Sequence, residues 1–449
     1  MSNISIGFCR VDLTPNESVA LCGYGDDAQR MSVGVLDPVT ATCIAITDDA
    51  GQSVLLYSLD LLAGYEPLTV AVREAVSKAT GIPPCRIMLA GTHTHAGPSI
   101  GTMHLDSTKR FFERSISLLA QAAQNALADR AAATICIGRS QTENMSFVRH
   151  YRMENGTDGG DNFGTWDSPI VAHASPADEQ IQLVRFIREG KQDVLLVNWQ
   201  AHAKMSSTAT TAFGVNYRKH ISSDYIGYTR QALEEKTGMQ VIYFSGAAGN
   251  LNPSSRMKNE PTPEDPAVFG KQLAQAALAG LANMQSISAG IVCSQQRRVT
   301  VPVDISDFHM LELSQKIRAI WPEDQQRCKD TARENGFNSA YAARDVISRY
   351  QAGTDRTLEL NTVGVGELAF AIAPYEMFCV NGQQIKEDSP YAMTFVLTCA
   401  NSYQNYLPSV LAFTHGGYEV DSRKLPRGRA APMVENFLEM LREQRSDKS

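Results

Sequence analysis

The chain has 449 residues, 43% of them hydrophobic and 20% charged, so it can bury a substantial core and is not a disordered sequence. Lysine and arginine total 41 against 48 acidic residues, a net charge of −7 with no basic stripe, which argues against a nucleic-acid partner. No run reaches the roughly 18 consecutive apolar residues of a membrane span, and the opening MSNISIGFCRVDLTP has neither the basic leader nor the apolar run of a secretory signal.

Along the chain, short apolar β-branched runs alternate with amphipathic stretches. The runs 40–47, 53–60, 86–90, 133–139, 181–187, 193–200, 240–244, 288–303, 357–365, 367–373 and 392–399 predict strands. Helices are predicted over 66–80, 107–129, 221–236, 265–284, 309–320, 339–351, 376–387 and 431–444. The stretch 107–129 shows the three- and four-residue spacing of one apolar face. This order predicts an α/β protein with mixed β-sheets flanked by helices. The region 305–352 reads as a small helical subdomain, but no boundary splits the chain, which is expected to be one large domain over 1–449. The polar, Gly-, Asp- and Pro-rich stretch 153–180 is too long for an ordinary connection and reads as an ordered functional loop or an active-site cover. Nine scattered cysteines form no CxxC pair, which points to buried free thiols in a reducing, cytoplasmic compartment.

Residues that could do chemistry cluster where predicted strands end. The strand 87–90 runs into Gly91-Thr92-His93-Thr94-His95, then turns at Gly97-Pro98. In an extended chain residues two apart point the same way, so His93 and His95 would present two imidazoles to one point. That suits a metal site or an acid–base pair. His202 closes the strand 194–197, Glu376 follows the strand 368–372 through Pro374, and Tyr403 and Tyr406 follow 392–399. Singly, each has an ordinary explanation: loop histidines, a structural histidine, a glutamate favoured at a helix N-terminus, packing tyrosines. Together, four strands each end in a residue able to bind or orient a metal, and active sites of α/β sheets gather at the carboxyl ends of strands. A metallophosphoesterase would want several Asp and Asn ligands, and a non-catalytic binding protein is the other alternative weighed.

The collinear blocks GTHTHAGP, NWQAH, YFSGAAGNLNP, APYEMF, ANSYQNYLP and GGYE resemble the catalytic domain of the neutral/alkaline ceramidases, from about residue 5 to about residue 420. The resemblance implies a zinc-dependent amide hydrolase. By motif it places Zn²⁺ on His93, His202, Glu376 and Tyr406, and catalysis on His95, Arg149 and Tyr418. It also sets Gly23 beside the reaction centre, where a residue without a side chain lets a scissile amide approach. The arginine is either Arg149 or Arg152. Asp60 and Asp224 lie in similar blocks and would either orient a histidine ligand or serve as ordinary loop and capping residues. The family's GDVSP block reads Gly249-Asn250-Leu251-Asn252-Pro253 here, and the expected C-terminal β-sandwich and secretory signal are not seen. The expectation is therefore an amidase using metal-activated water on a small soluble amide, lactam or ester. Ceramide itself is the alternative. Manganese or iron would also suit these ligands. No nucleic acid and no stable membrane insertion are expected, and a homo-oligomer is left open.

Overall fold

The computed structural model describes residues 4–24, 27–160, 168–208, 217–337 and 339–446. Eight strands form the main path of the larger sheet: β1 (Ile4–Asp12), β2 (Thr40–Asp48), β3 (Ser53–Leu59), β4 (Ile87–Gly91), β5 (Ala131–Gln141), β6 (Gln180–Arg188), β7 (Val194–Trp199) and β8 (Gln240–Ser245). Their order is β8-β7-β6-β5-β1-β2-β3-β4, and Gln285–Ile287 adds a short strand on β5. The second sheet runs β9 (Val292–Pro302), β10 (Asp355–Val365), β11 (Leu368–Ile372), β12 (Met393–Leu397). Most neighbours are antiparallel. The parallel pairs in these two sheets are β3 with β4, β7 with β8, and β11 with β12. Each is joined by a crossover helix: α1 (Glu66–Thr80), α3 (Asp224–Thr237) and α8 (Cys379–Asp388) respectively. A parallel pair needs such a crossover, and it brings two strand ends to the same edge of the sheet.

Both faces of these strands are buried, which explains runs that are apolar throughout rather than alternating. In β2, Ile44 and Ile46 face the second sheet while Cys43 and Ala45 face helices. In β11, Leu368, Phe370 and Ile372 meet the large sheet while Ala369 and Ala371 lie on the helical side. Phe370 packs edge-on against Phe395, with ring centroids 5.7 Å apart. Fully burying a side chain of this size contributes about 1.5–3 kcal/mol. The outer face of the large sheet is covered by α1 and α2 (Asp106–Ala128) at one end and by α3 and α4 (Pro266–Leu281) at the other. Helix α9 (Ala430–Ser446) covers the second sheet with α8. The layers therefore run helix, sheet, sheet, helix.

Three helices, α5 (Leu311–Ala319), α6 (Gln325–Glu334) and α7 (Ala340–Gln351), pack around Trp321, Ile317 and Cys328 as the expected helical region. β1 and α6 are among the elements that periodicity missed. In β1 the apolar positions are interrupted by Gly7 and Arg10, and α6 is dominated by polar residues. Within 153–180 the described residues contribute the strands Asp158–Gly160 and Ile170–His173 to a small three-stranded sheet, and residues 161–167 lie outside the described set. Among the described residues no helix is long and apolar enough to cross a membrane.

Candidate metal centre and its cavity

The three βαβ edges converge. β4 ends at Gly91, where a Cβ would lie 2.5 Å from the Ala63 backbone, so only glycine lets the chain pass. The chain then turns sharply: His93 has φ 66°, left-handed backbone that a histidine seldom adopts and that tends to be kept where a site needs it. The two imidazoles of His93 and His95 do meet, with Nε2 atoms 3.4 Å apart, but through this turn and not through the alternation of an extended strand. His95 N donates to Ala203 O at 2.8 Å, and Thr94 bridges Ala203, which lays this segment beside the one carrying His202.

Glu376 does not open the following helix, as its spacing suggested. It sits in a two-residue strand, Glu376–Met377, paired in parallel with Tyr406–Leu407, and α8 starts at Cys379. Gly249 permits this, because a Cβ there would lie 2.4 Å from Glu376 O. Glu376 Oε2 stands 3.2 Å from His93 Nε2 and 3.1 Å from His202 Nε2. All three side chains are buried. His93 Nδ1 faces Leu62 O at 2.9 Å, and His202 Nδ1 faces Ala248 O and Leu251 O at 2.9 and 3.0 Å. With Nδ1 donating to those carbonyls, each Nε2 faces the carboxylate oxygen, through a proton when the ring is charged and through a lone pair when it is neutral. With both rings neutral the arrangement is repulsive unless a cation, either a proton or a metal ion, lies between the three atoms. Four donors about 2.0–2.1 Å from a tetrahedral zinc are about 3.3 Å apart, so the spacing as well as the chemistry fits a divalent ion. The ring nitrogens of His93, His95 and His202 lie within 4.8 Å of one another.

Burial lowers His93, but Cys399 and Glu376 beside it outweigh burial and hold it well above the usual histidine range. Burial and then the Arg149 charge hold His202 down to about 3. Burial, with His93 and His202 beside it, holds His95 well below the usual histidine range. Burial alone would raise Glu376, but His93 and His202 outweigh it and keep the carboxylate ionised. A metal requires neutral imidazoles and an ionised carboxylate; His202 and Glu376 are already so, and binding would displace the proton that His93 favours.

His95 differs from the other two. Its Nδ1 is buried without a hydrogen-bond partner among the described residues, whereas ligating histidines almost always donate their second nitrogen to an orienting acceptor. A Cβ on Gly23 would come within 2.7 Å of His95 Cγ and Nδ1, and Gly23 has φ 108°. The missing side chain at Gly23 thus makes room for the His95 ring, a nearer reason than substrate access. Gly23→Ala should push the ring aside, lowering kcat on the order of 10²-fold or less while metal content stays unchanged. Metal analysis with steady-state kinetics reads both, and unchanged kcat would mean that the ring has no fixed place.

Arg149, not Arg152, reaches this site. Arg149 is 4% exposed, whereas Arg152 points outward. Its Nη2 donates to Tyr406 Oη at 3.2 Å and to Gly249 O at 3.0 Å, and its Nε donates to Glu419 Oε1 at 2.5 Å. Glu419 also pairs with His150 at 2.5 Å. Burial would raise Glu419, but Arg149 and His150 hold it down to about 2. Tyr418 packs edge-on to Tyr406, with centroids 5.6 Å apart. Tyr403 donates its hydroxyl to Glu376 Oε1. Tyr403 was visible in the same aromatic cluster as Tyr406, and Glu419 adjoins Tyr418 in the GGYE block, but nothing local marked either as a partner. Asp60 is no histidine orienter. It takes a bidentate ion pair from Arg230 at 2.8 and 2.6 Å, and Asp224 caps Ser206 and Tyr225. The Asn250 and Asn252 amides accept from Cys379 N and Arg149 Nη1.

Gly23, His93, His95, Arg149, Glu376, Tyr406 and Tyr418 line one cavity of about 510 Å³, and His202 lies behind it against Glu376. Among the described residues none of 153–180 lines it. Its cationic residues Arg149, Lys204, Arg256, Arg344 and Lys424 outnumber Asp27, Asp345 and Glu376.

No protein-family model and no curated protein matches this chain. Solved structures do. Neutral ceramidase from Pseudomonas aeruginosa superposes with a TM-score of 0.72 and 18% identity, over all of this chain and 75% of that one. A ceramidase complexed with C2 gives 0.73 and 16%, over all of this chain and 76% of its own. The architecture is thus a buried, histidine-rich centre on a mixed α/β double sheet. That double sheet is the neutral-ceramidase fold.

Proposed function

We propose that the chain is a metal-dependent hydrolase that cleaves an amide, or a related lactam or ester, in a small polar molecule. The observation carrying this reading is the buried Glu376 oxygen set between the Nε2 atoms of His93 and His202 at 3.2 and 3.1 Å. His93, His202, Glu376 and Tyr406 would hold Zn²⁺, the last assigned by the resemblance of its motif. Zinc, when bound, supplies Lewis acidity that polarises a carbonyl and makes water acidic near neutral pH.

The remaining work falls to the chain itself. His95 is neutral and lies against the donor set, so it can accept the proton of the attacking water and pass it to the leaving nitrogen. The water oxygen bonds to the carbonyl carbon, the C–N bond breaks, and the proton ends on the amine. Arg149 and Tyr418, with Tyr406 between them, present donors toward the oxygen that gains negative charge. Gly23 sets the edge of the substrate's approach beside His95. The charged cavity wall favours a polar substrate over a ceramide.

Metal analysis after zinc loading is expected to give about one ion per chain. A screen of small amides, lactams, esters and N-acyl lipids should then show turnover of a polar amide. Protein that takes up no zinc, or that takes it up and cleaves none of them, would overturn the proposal.

A further inference from the structure

One wall of the cavity has no part in the chemistry above. Helix α7 turns Tyr341, Arg344, Asp345 and Ser348 toward the space. These residues stand at the three- and four-residue spacing of a single helix face, where a buried helix ordinarily carries its apolar stripe. Ser422 and Lys424 complete the wall from the segment before α9. Arg344 is already engaged, by Asp345 at 3.1 Å and over the Tyr341 ring. Lys424 is not: among the described residues no carboxylate lies within ion-pair reach of its ammonium. Ser422 is 1% exposed, and its Oγ has no hydrogen-bond partner among the described residues. A half-buried ammonium and a buried hydroxyl, both unmatched and both at one cavity wall, are costly unless something binds them. Burial, with Arg356 nearby, lowers Lys424 to about 8, so at neutral pH it is mostly charged.

Resting on the hydrolase reading, we propose that this wall is a carboxylate subsite: the substrate is an amide carrying a carboxylate that Lys424 and Ser422 bind, with Arg344 beside them. One ammonium, one hydroxyl and a guanidinium already shared with Asp345 suit a monoanion better than a phosphate. The subsite lies beyond two aromatic rings from the Arg149 side: Tyr406 contacts Tyr418, and Tyr418 contacts Tyr341, each pair at 5.6 Å. The carboxylate therefore stands several bonds from the scissile carbonyl.

The test uses zinc-loaded full chain and matched linear amides: ε-acetamidocaproate, neutral N-hexylacetamide, cationic N-acetylcadaverine and the phosphate ester of N-acetyl-aminopentanol. The wild type should show a KM for ε-acetamidocaproate on the order of ten-fold or more below those of the others. Lys424→Met should erase that preference while leaving N-hexylacetamide kinetics within about two-fold, Lys424→Arg should restore most of it, and Ser422→Ala should weaken it. No preference, a preference that Lys424→Met leaves intact, or a preference for the cationic or phosphate probe would overturn the subsite. If no amide is cleaved, the hydrolase reading falls, and calorimetry decides the subsite separately. Binding of ε-acetamidocaproate that Lys424→Met abolishes upholds it, and no binding overturns it.

Discussion

His202→Ala is expected to lose its metal and its hydrolytic activity together, with bound zinc falling from about one per chain to near zero and turnover falling at least about 10³-fold. The imidazole is held from behind by two backbone carbonyls and faces Glu376 Oε2 in front, so no neighbour can take its place. Its removal also leaves Glu376 buried with one fewer partner. His93→Ala should behave alike, because His93 contributes the other Nε2 directed at that oxygen. Circular dichroism on both variants separates a lost site from a lost fold. A folded variant that still binds zinc stoichiometrically would show that these atoms do not hold the ion.

The second large effect is expected from His95→Ala. Here the metal should stay and kcat should fall by about 10²–10⁴-fold. The result discriminates because the His95 Nε2 lies only 3.4 Å from that of His93, close enough to be a ligand. Its other nitrogen speaks against ligation, because among the described residues it has no acceptor to orient it. Loss of zinc in this variant would place His95 among the ligands, and full turnover would remove it from the chemistry altogether.

Much of the fold was legible because burial on both sides writes itself into local composition. Strands between a second sheet and a helix layer must be apolar at every position, and such runs as 53–60, 193–200 and 367–373 stand out. Helix α1 fell on its predicted bounds because Gly81, at φ 75°, ends it sharply. The site residues were legible for a related reason: a polar residue at the end of an apolar strand is conspicuous. The misreadings came where local pattern gives way to distant partners. Glu376 looked like the first residue of a helix, yet its backbone is held by Asn405 and paired with Tyr406. The HxH spacing suggested an extended strand, yet His93 N is tied to Leu61 O in a left-handed turn.

What the sequence alone determined is an α/β chain of sheets flanked by helices and the four strand ends that carry His93, His202, Glu376 and the pair Tyr403 and Tyr406, since hydrophobic periodicity is a local property of the chain. Tertiary structure decided which arginine serves the site, which carboxylate holds it, and which wall of the cavity is positive. Arg149 meets Glu419 across 270 positions of sequence, and Lys424 owes its unmatched charge to the neighbours the fold supplies. Charge–charge energy depends on distance in space and on the exclusion of water, and neither is set until the sheets have closed on one another.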